Sequence, residues 1–134
     1  MKFPEGLKVY GDPTYRNKKC PTESAEQITF FNVLRAKYPD IAQLSIHVRN
    51  EGKRTHAQTN RQKAEGMNVG ASDIIVIGSP VFVCELKRKD HTLCRFQDGQ
   101  LEFLEAAKES GAYACVALGH EAALNAVGEW LSIT

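Results

Sequence analysis

Residues 73–87 read DIIVIGSPVFVCELK and contain two apolar runs on either side of Gly78-Ser79-Pro80. Apolar runs rich in β-branched residues, separated by such a turn, are typical of two strands joined as a hairpin. The nearly continuous apolar character of both runs predicts central strands that are covered on both faces. The fold is therefore expected to be built around this buried hairpin.

Three ionisable residues interrupt the hairpin. In an antiparallel pair the start of one strand lies beside the end of the other, so Asp73 is expected to approach Glu85. Residues two apart on a strand share a face, so Glu85 and Lys87 should point the same way. Buried charges are costly unless they are paired. Lys87 could simply bridge the two carboxylates, but we favour a divalent metal bound by Asp73, Glu85 and the carbonyl of Leu86, because such ions prefer oxygen ligands.

Helices and strands are predicted on both sides of the hairpin. Upstream, Thr22 can cap an amphipathic helix that ends before Pro39. The other predicted elements are a strand at 41–49, a short helix at 57–65 within a polar segment, a helix from 96 or 97 to 110, a strand at 112–118 and a helix at 120–131. Residues 1–21 show no periodicity and are predicted to be an irregular N-terminal arm. This order predicts one α/β domain over residues 1–134.

Charge is distributed unevenly along a chain whose net charge is only +1. Basic residues dominate from His47 to Arg95, whereas the chain is acidic from Asp98 onward. This asymmetry favours one phosphate-facing surface and one solvated back face. The residues expected to contact DNA are Asn50, Lys53, Arg54, Arg61, Lys63 and Arg88.

The four cysteines form no CxxC pair, so they are expected to be free thiols rather than zinc ligands. The first 19 residues contain no apolar core of the kind that secretory signals have. No apolar run approaches the roughly 20 residues that a membrane helix needs. These features predict a cytosolic setting without membrane association.

Several blocks of the sequence together resemble the VRR-NUC group of PD-(D/E)XK nucleases. The blocks are TESAEQ from Thr22, HVRNEGKRT from His47, KAEGMNVGASDIIVI from Lys63, VFVCELKRKD from Val81 and QLEFLEAAKESGAYACVAL from Gln100. The resemblance runs from Thr22 to the end of the chain. It implies a restriction-endonuclease-like core with a mixed central β-sheet flanked by helices. One departure is Ser72, which stands where the group usually has proline.

The resemblance also implies roles for individual residues. Asp73, Glu85 and the Leu86 carbonyl would bind one or two Mg²⁺ or Mn²⁺ ions, and Lys87 would be the catalytic lysine. A glutamate of the first helix would complete the metal site, and we favour Glu23 over Glu26. Gln100 would be the motif glutamine, with Gln97 as the alternative. The loop residues Asn50, Gly52 and Arg54 would contact the phosphate backbone.

The function expected from this reading is metal-dependent cleavage of DNA, selective for branched structures such as Holliday junctions. Small relatives of this kind are stand-alone phage and bacterial nucleases, and a homodimer would place two active sites on two strands. The alternative is a non-catalytic nucleic-acid-binding protein that retains the nuclease fold. The presence of Asp73, Glu85 and Lys87 favours the enzyme.

Overall fold

A computed structural model describes residues 1–48 and 55–134 of the chain. The strands are β1 Lys8–Tyr10, β2 Ser45–His47, β3 Ile74–Val76, β4 Phe82–Lys87 and β5 Tyr113–Leu118. The helices are α1 Glu23–Lys37, α2 Pro39–Gln43, α3 His56–Ala64, α4 Gln100–Glu109 and α5 His120–Ser132, with a 3-10 turn at His91–Leu93. Of the helices in this part of the chain, none is long and apolar enough to cross a membrane.

The five strands form one mixed sheet in the order β1-β5-β4-β3-β2. Strand β5 lies between β1 and β4 and is parallel to both, whereas β3 is antiparallel to β4 and to β2. The predicted mixed sheet and the predicted hairpin are therefore confirmed. All residues of β4 and β5 are buried, as their apolar sequences indicate.

Helices cover both faces of the sheet. One face packs against α1 and α5 through a cluster that includes Phe30, Leu34, Phe82, Val127 and Trp130. The other face packs against α4 and the N-terminal segment, with Val83, Leu104 and Val116 in the contact. Because side chains alternate along β4, Val83, Glu85 and Lys87 share the α4 face.

Two local predictions were wrong at the N-terminal side. The predicted irregular arm contains β1, which adds an edge strand beside β5 through three residue pairs. The predicted strand at 41–49 is shorter, because α2 begins at Pro39 and occupies the chain to Gln43. Proline is favoured in the first turn of a helix, so Pro39 both ends α1 and starts α2. Residue 49, the last of the predicted strand, and residues 50–54, which include predicted DNA contacts, lie outside the described residues.

The start of α4 also differs from the prediction. The helix begins at Gln100 rather than at 96 or 97, because Gly99 has φ of 85°, which no helical residue adopts. Gly99 lies against the segment that leads into β3. A Cβ atom added to Gly70 would lie 2.3 Å from the carbonyl oxygen of Gly99, so the two backbones touch directly.

Candidate active site

The antiparallel register places Asp73 at the predicted position. Ile74 pairs with Cys84, so Asp73 is the next residue outward, opposite Glu85. The Asp73 side chain binds the backbone of β4, since its Oδ2 accepts a hydrogen bond of 3.0 Å from the amide of Leu86. The hairpin therefore brings the first acidic residue onto the end of β4.

The backbone of Leu86 faces the same side as Asp73. The carbonyl of Lys87 accepts from the Gly119 amide at 2.8 Å, on the β5 side of the strand. The amide and the carbonyl of one strand residue point the same way, and neighbouring residues alternate. By this alternation the carbonyl of Leu86 lies on the β3 side of the strand, which is also the side of Asp73.

Glu85 and Lys87 form a buried polar cluster with Gln100, and each of the two charged residues is only 1% exposed. The Nζ atom of Lys87 lies 3.6 Å from Oε1 of Glu85. The Gln100 amide group joins them, because Nε2 donates to Oε1 of Glu85 at 2.9 Å and Oε1 accepts from Nζ of Lys87 at 3.1 Å. The carbonyl of Arg95 also accepts from Lys87 at 3.0 Å. The lysine ammonium is therefore held in one position.

One oxygen of this cluster receives no hydrogen bond from an N–H group. Among residues 1–48 and 55–134, no donor reaches the buried Oε2 of Glu85, and the Glu85 carboxyl group can hydrogen-bond to that of Asp73 only when a proton lies between them. Burial first, and then the neighbouring Asp73 carboxylate, raises the pKa of Glu85 to about 10, against the opposing effect of Lys87. Two facing carboxylates at a low-dielectric site raise one another's proton affinity in this way. A cation between them would relieve the same repulsion.

The two candidate glutamates of α1 have different surroundings. Oε1 of Glu23 lies 3.8 Å from Nζ of Lys87, at the rim of the cluster. Glu26 is buried and accepts hydrogen bonds from the amide and ring Nδ1 of His120, at the start of α5. Glu23 therefore lies at the candidate site, whereas Glu26 connects α1 to α5.

The two candidate glutamines are distinguished in the same way. The side chain of Gln100 lies inside the cluster and is buried. The side chain of Gln97 is exposed, and its backbone amide donates to Oε1 of Gln100 at 2.7 Å. Gln97 thus supports the orientation of Gln100 through its main chain.

Metal ligation by side chains alone is limited here. In the part of the chain that the structure describes, no three His, Cys, Asp or Glu side chains form a group that could hold an ion. Two facing carboxylates and one main-chain carbonyl are what the site offers. That set fits Mg²⁺, which commonly binds through one or two carboxylates and completes its shell with water and substrate phosphate oxygens.

Two clefts meet at Glu23. The larger, with a volume of about 870 Å³, runs between α1 and β2 and is lined by residues that include Gln27, Phe31, His47 and Asp73. The smaller lies on the other side and is lined by Glu23, Arg88, Cys94, Arg95 and Gln97, among others. Both clefts therefore reach Glu23, at the rim of the buried cluster.

The predicted DNA contacts are only partly described. Arg61 and Lys63 are exposed on α3, where Arg61 also lies 3.6 Å from Glu65. Asn50, Lys53 and Arg54 lie outside the described residues. Arg88 donates hydrogen bonds of 3.0 and 2.6 Å to the carbonyls of Pro21 and Cys20. The sequence showed no signal for this contact, which fixes the chain just before α1.

Other side chains of the region lie as follows. Nδ1 of His47 is 3.1 Å from the Asp73 carbonyl and 3.1 Å from Nε2 of Gln27. The hydroxyl of Ser72, at the position where proline was expected, is buried without a hydrogen-bond partner among the described residues. All four cysteines are free thiols, as predicted.

By sequence the chain matches no known protein family and no curated protein. Its structure is similar to a solved structure described as a VRR_NUC domain protein. The TM-score is 0.71, the sequence identity is 18%, and the similarity covers 87% of this chain and 93% of the other. The chain therefore has the fold of a VRR-NUC domain, with Asp73, Glu85 and Lys87 at the end of its central hairpin.

Proposed function

We propose that this protein is a metal-dependent endonuclease that hydrolyses phosphodiester bonds in DNA. The observation that carries the proposal is the buried Glu85–Lys87–Gln100 cluster, in which the Glu85 carboxyl group faces that of Asp73 and no other described residue donates to its second oxygen. Two buried carboxyl groups that face each other are costly unless a proton or a cation lies between them, and such groups are concentrated at functional sites. The ion pair with Lys87 alone does not remove this cost, because the pKa of Glu85 stays raised in its presence.

Asp73, Glu85 and the Leu86 carbonyl would hold one or two Mg²⁺ or Mn²⁺ ions together with phosphate oxygens of the substrate. When bound, the ion supplies charge neutralisation at the phosphate and lowers the pKa of its bound water. Glu23 is proposed as an additional ligand, through water or after a side-chain movement away from Lys87. Each role requires only oxygen ligands, which suits these ions.

Lys87 has the role of the catalytic lysine in this proposal. Gln100 and the Arg95 carbonyl hold two of its three N–H groups. Carboxylate oxygens of Glu85 and Glu23 lie 3.6 and 3.8 Å from the same nitrogen. In the proposal the third N–H group turns from them to a water molecule or a phosphate oxygen when substrate binds, and acts there as a preorganised donor. Gln100 acts as a positioning residue, since it fixes Glu85 and Lys87 relative to one another.

A cleavage assay tests the proposal. Labelled DNA is incubated with Mg²⁺ or Mn²⁺ and the wild type, Lys87→Met or the exposed control Lys108→Met. We expect Lys87→Met to cut at least about a hundredfold more slowly, because a positioned proton donor contributes roughly that much. Calorimetry with Mn²⁺ should show binding by Lys87→Met but not by Asp73→Asn. Full activity of Lys87→Met, or absence of cutting by the wild type, would contradict the proposal.

The substrate we propose is branched DNA, cut by a homodimer. Lysine and arginine contacts to phosphates position a protein on DNA without reading base sequence, so a basic surface beside the site would recognise backbone and shape. Support for the dimer comes from three exposed aliphatic side chains in and beside β2 and β3, namely Leu44, Ile46 and Ile77, which are 45%, 47% and 57% exposed. Cleavage of a four-way junction, a flap and a linear duplex is compared. Equal rates on all three would rule out structure selection.

A further inference from the structure

Residues 13–21, here called the strap, connect β1 to α1 and lie beside the chain that follows β4. The amide of Asn17 donates to Oδ2 of Asp90 at 2.9 Å, and the carbonyl of Pro13 lies 2.9 Å from Nε2 of His91. Arg88 binds the carbonyls of Cys20 and Pro21. The strap is thus fixed along residues 88–91 by contacts at both of its ends and near its middle.

These contacts bring basic side chains from distant parts of the sequence together. Lys18 and Lys19 are exposed on the strap, and Lys89 and Arg95 are exposed on the chain beside it. Nζ of Lys89 lies 4.7 Å from the centre of the Tyr15 ring. Arg95 lines the smaller cleft together with Glu23, so this basic strip reaches the rim of the candidate active site.

The acidic groups near the strip are occupied by contacts within the protein. Asp90 accepts hydrogen bonds from Asn17 and from the amide and hydroxyl of Thr92. Asp12 accepts from the amide and hydroxyl of Thr14. Both carboxylates stay ionised, since these hydrogen bonds lower their pKa. Positive charge still predominates at the surface, because exposed cations outnumber them, namely Arg16, Lys18, Lys19, Lys89 and Arg95.

The topology places the strip and α3 at the same end of the sheet. The strap follows β1, and α3 lies in the connection from β2 to β3, whereas the candidate site lies between them at the end of β4. Strands β1 and β2 are the two edges, roughly 19 Å apart at the usual strand spacing. A duplex of that length carries roughly eleven phosphates.

We propose that the strip formed by Lys18, Lys19, Lys89 and Arg95 binds the phosphate backbone of duplex DNA, on the side of the active site away from α3. The strip extends the proposed function, because it assigns one arm of the substrate to a surface that the sequence presented as an irregular arm. Exposed lysines act here as point charges that displace counterions, without reading sequence.

The test measures binding to a labelled linear duplex in EDTA, so that the result does not depend on cleavage. The variant is Lys18→Ala/Lys19→Ala/Lys89→Ala, and the control is Lys8→Ala/Lys37→Ala/Lys108→Ala, which removes equal charge at the opposite end of the sheet. Binding weakens as salt rises, so the slope of log K against log salt is negative. We expect this slope to be shallower by about 2.7 in the strip variant, at about 0.9 for each lost phosphate contact. Its loss of affinity should therefore be about 40-fold larger at 50 mM than at 200 mM salt.

A control slope equal to the wild-type slope, with a lower slope for the strip variant, supports the proposal. Equal slopes for both variants, or an unchanged slope for the strip variant, would overturn it. Thermal melting checks that both variants are folded. If the wild type binds through the strip but never cuts DNA, the proposed nuclease activity fails while the strip stands. If the strip variant binds and cuts like the wild type, the strip fails and the nuclease stands.

Discussion

At the scale of a single residue, Glu85 is the buried carboxyl group whose pKa the site raises. Its carboxyl group is buried beside Asp73, and its pKa is raised to about 10 from an ordinary value of 4.5. Between those two values the unfolded chain releases a proton that the folded chain retains. Glu85 therefore lowers the free energy of unfolding of the metal-free protein progressively as the pH rises through this range.

Replacing Glu85 with glutamine should remove this dependence. We expect Glu85→Gln in EDTA to be more stable than the wild type at pH 8, with a difference that increases with pH, because the neutral amide needs no proton. Thermal denaturation between pH 5 and 9 measures it, with the exposed Glu102→Gln as the control. Parallel stability curves for wild type and Glu85→Gln would show that the carboxyl group is not strained.

The residues of the site were more predictable than the elements around them. The pair of strands, the register that joins Asp73 to Glu85, and the shared face of Glu85 and Lys87 all follow from strand periodicity. The preference for Glu23 over Glu26 came from the resemblance. Periodicity could not supply it, because Glu26 is held by His120, which lies 94 residues away in the sequence. Contacts of that range leave no local pattern.

At the scale of elements, short and non-local structure was missed. Strand β1 has three residues, and its pairing with β5 spans most of the chain, so periodicity gives no signal for it. Pro39 was interpreted as the end of a helix, although it also begins the next one. The last helix, α5, was predicted to within one residue, because its buried residues Ala122, Ala126, Val127 and Trp130 follow the helical repeat over several turns.

The strap is an element whose position depends on Arg88. We expect Arg88→Met to accelerate amide hydrogen exchange throughout residues 13–21, since the carbonyls of Cys20 and Pro21 lose their donor. Hydrogen exchange measured by mass spectrometry tests this, with the exposed Arg95→Met as the control for lost charge. If Arg88 instead contacts DNA, as the sequence suggested, the substitution would weaken DNA binding and leave exchange in the strap unchanged.

At the scale of the whole molecule, α4 covers only part of one sheet face. Helix α4 covers β4 and β5, whereas Ile46 and Ile77 remain exposed near the β2 edge. An exposed aliphatic face beside an unpaired edge strand favours association with a second chain. This arrangement would set two active sites at a fixed separation, which suits a four-way junction.

The dimer is tested by its mass in solution. We expect the wild type to elute as a dimer in size-exclusion chromatography with light scattering, and Ile46→Lys to elute as a monomer, because a charge would be buried in the interface. Ile133→Lys, at a site that is 60% exposed at the C-terminus, is the matched control and should remain a dimer. A monomeric wild type at micromolar concentration would contradict the dimer.

The direct backbone contact between Gly70 and Gly99 has a practical consequence for anyone who modifies this protein. It joins the residues just before Asp73 to the turn just before Gln100, so a side chain at position 70 would move Asp73 away from the glutamine that contacts Lys87. Insertions and fluorophores should be kept away from this junction. Ser110, exposed at the other end of α4, is a better attachment point for a reporter that leaves the chemistry undisturbed.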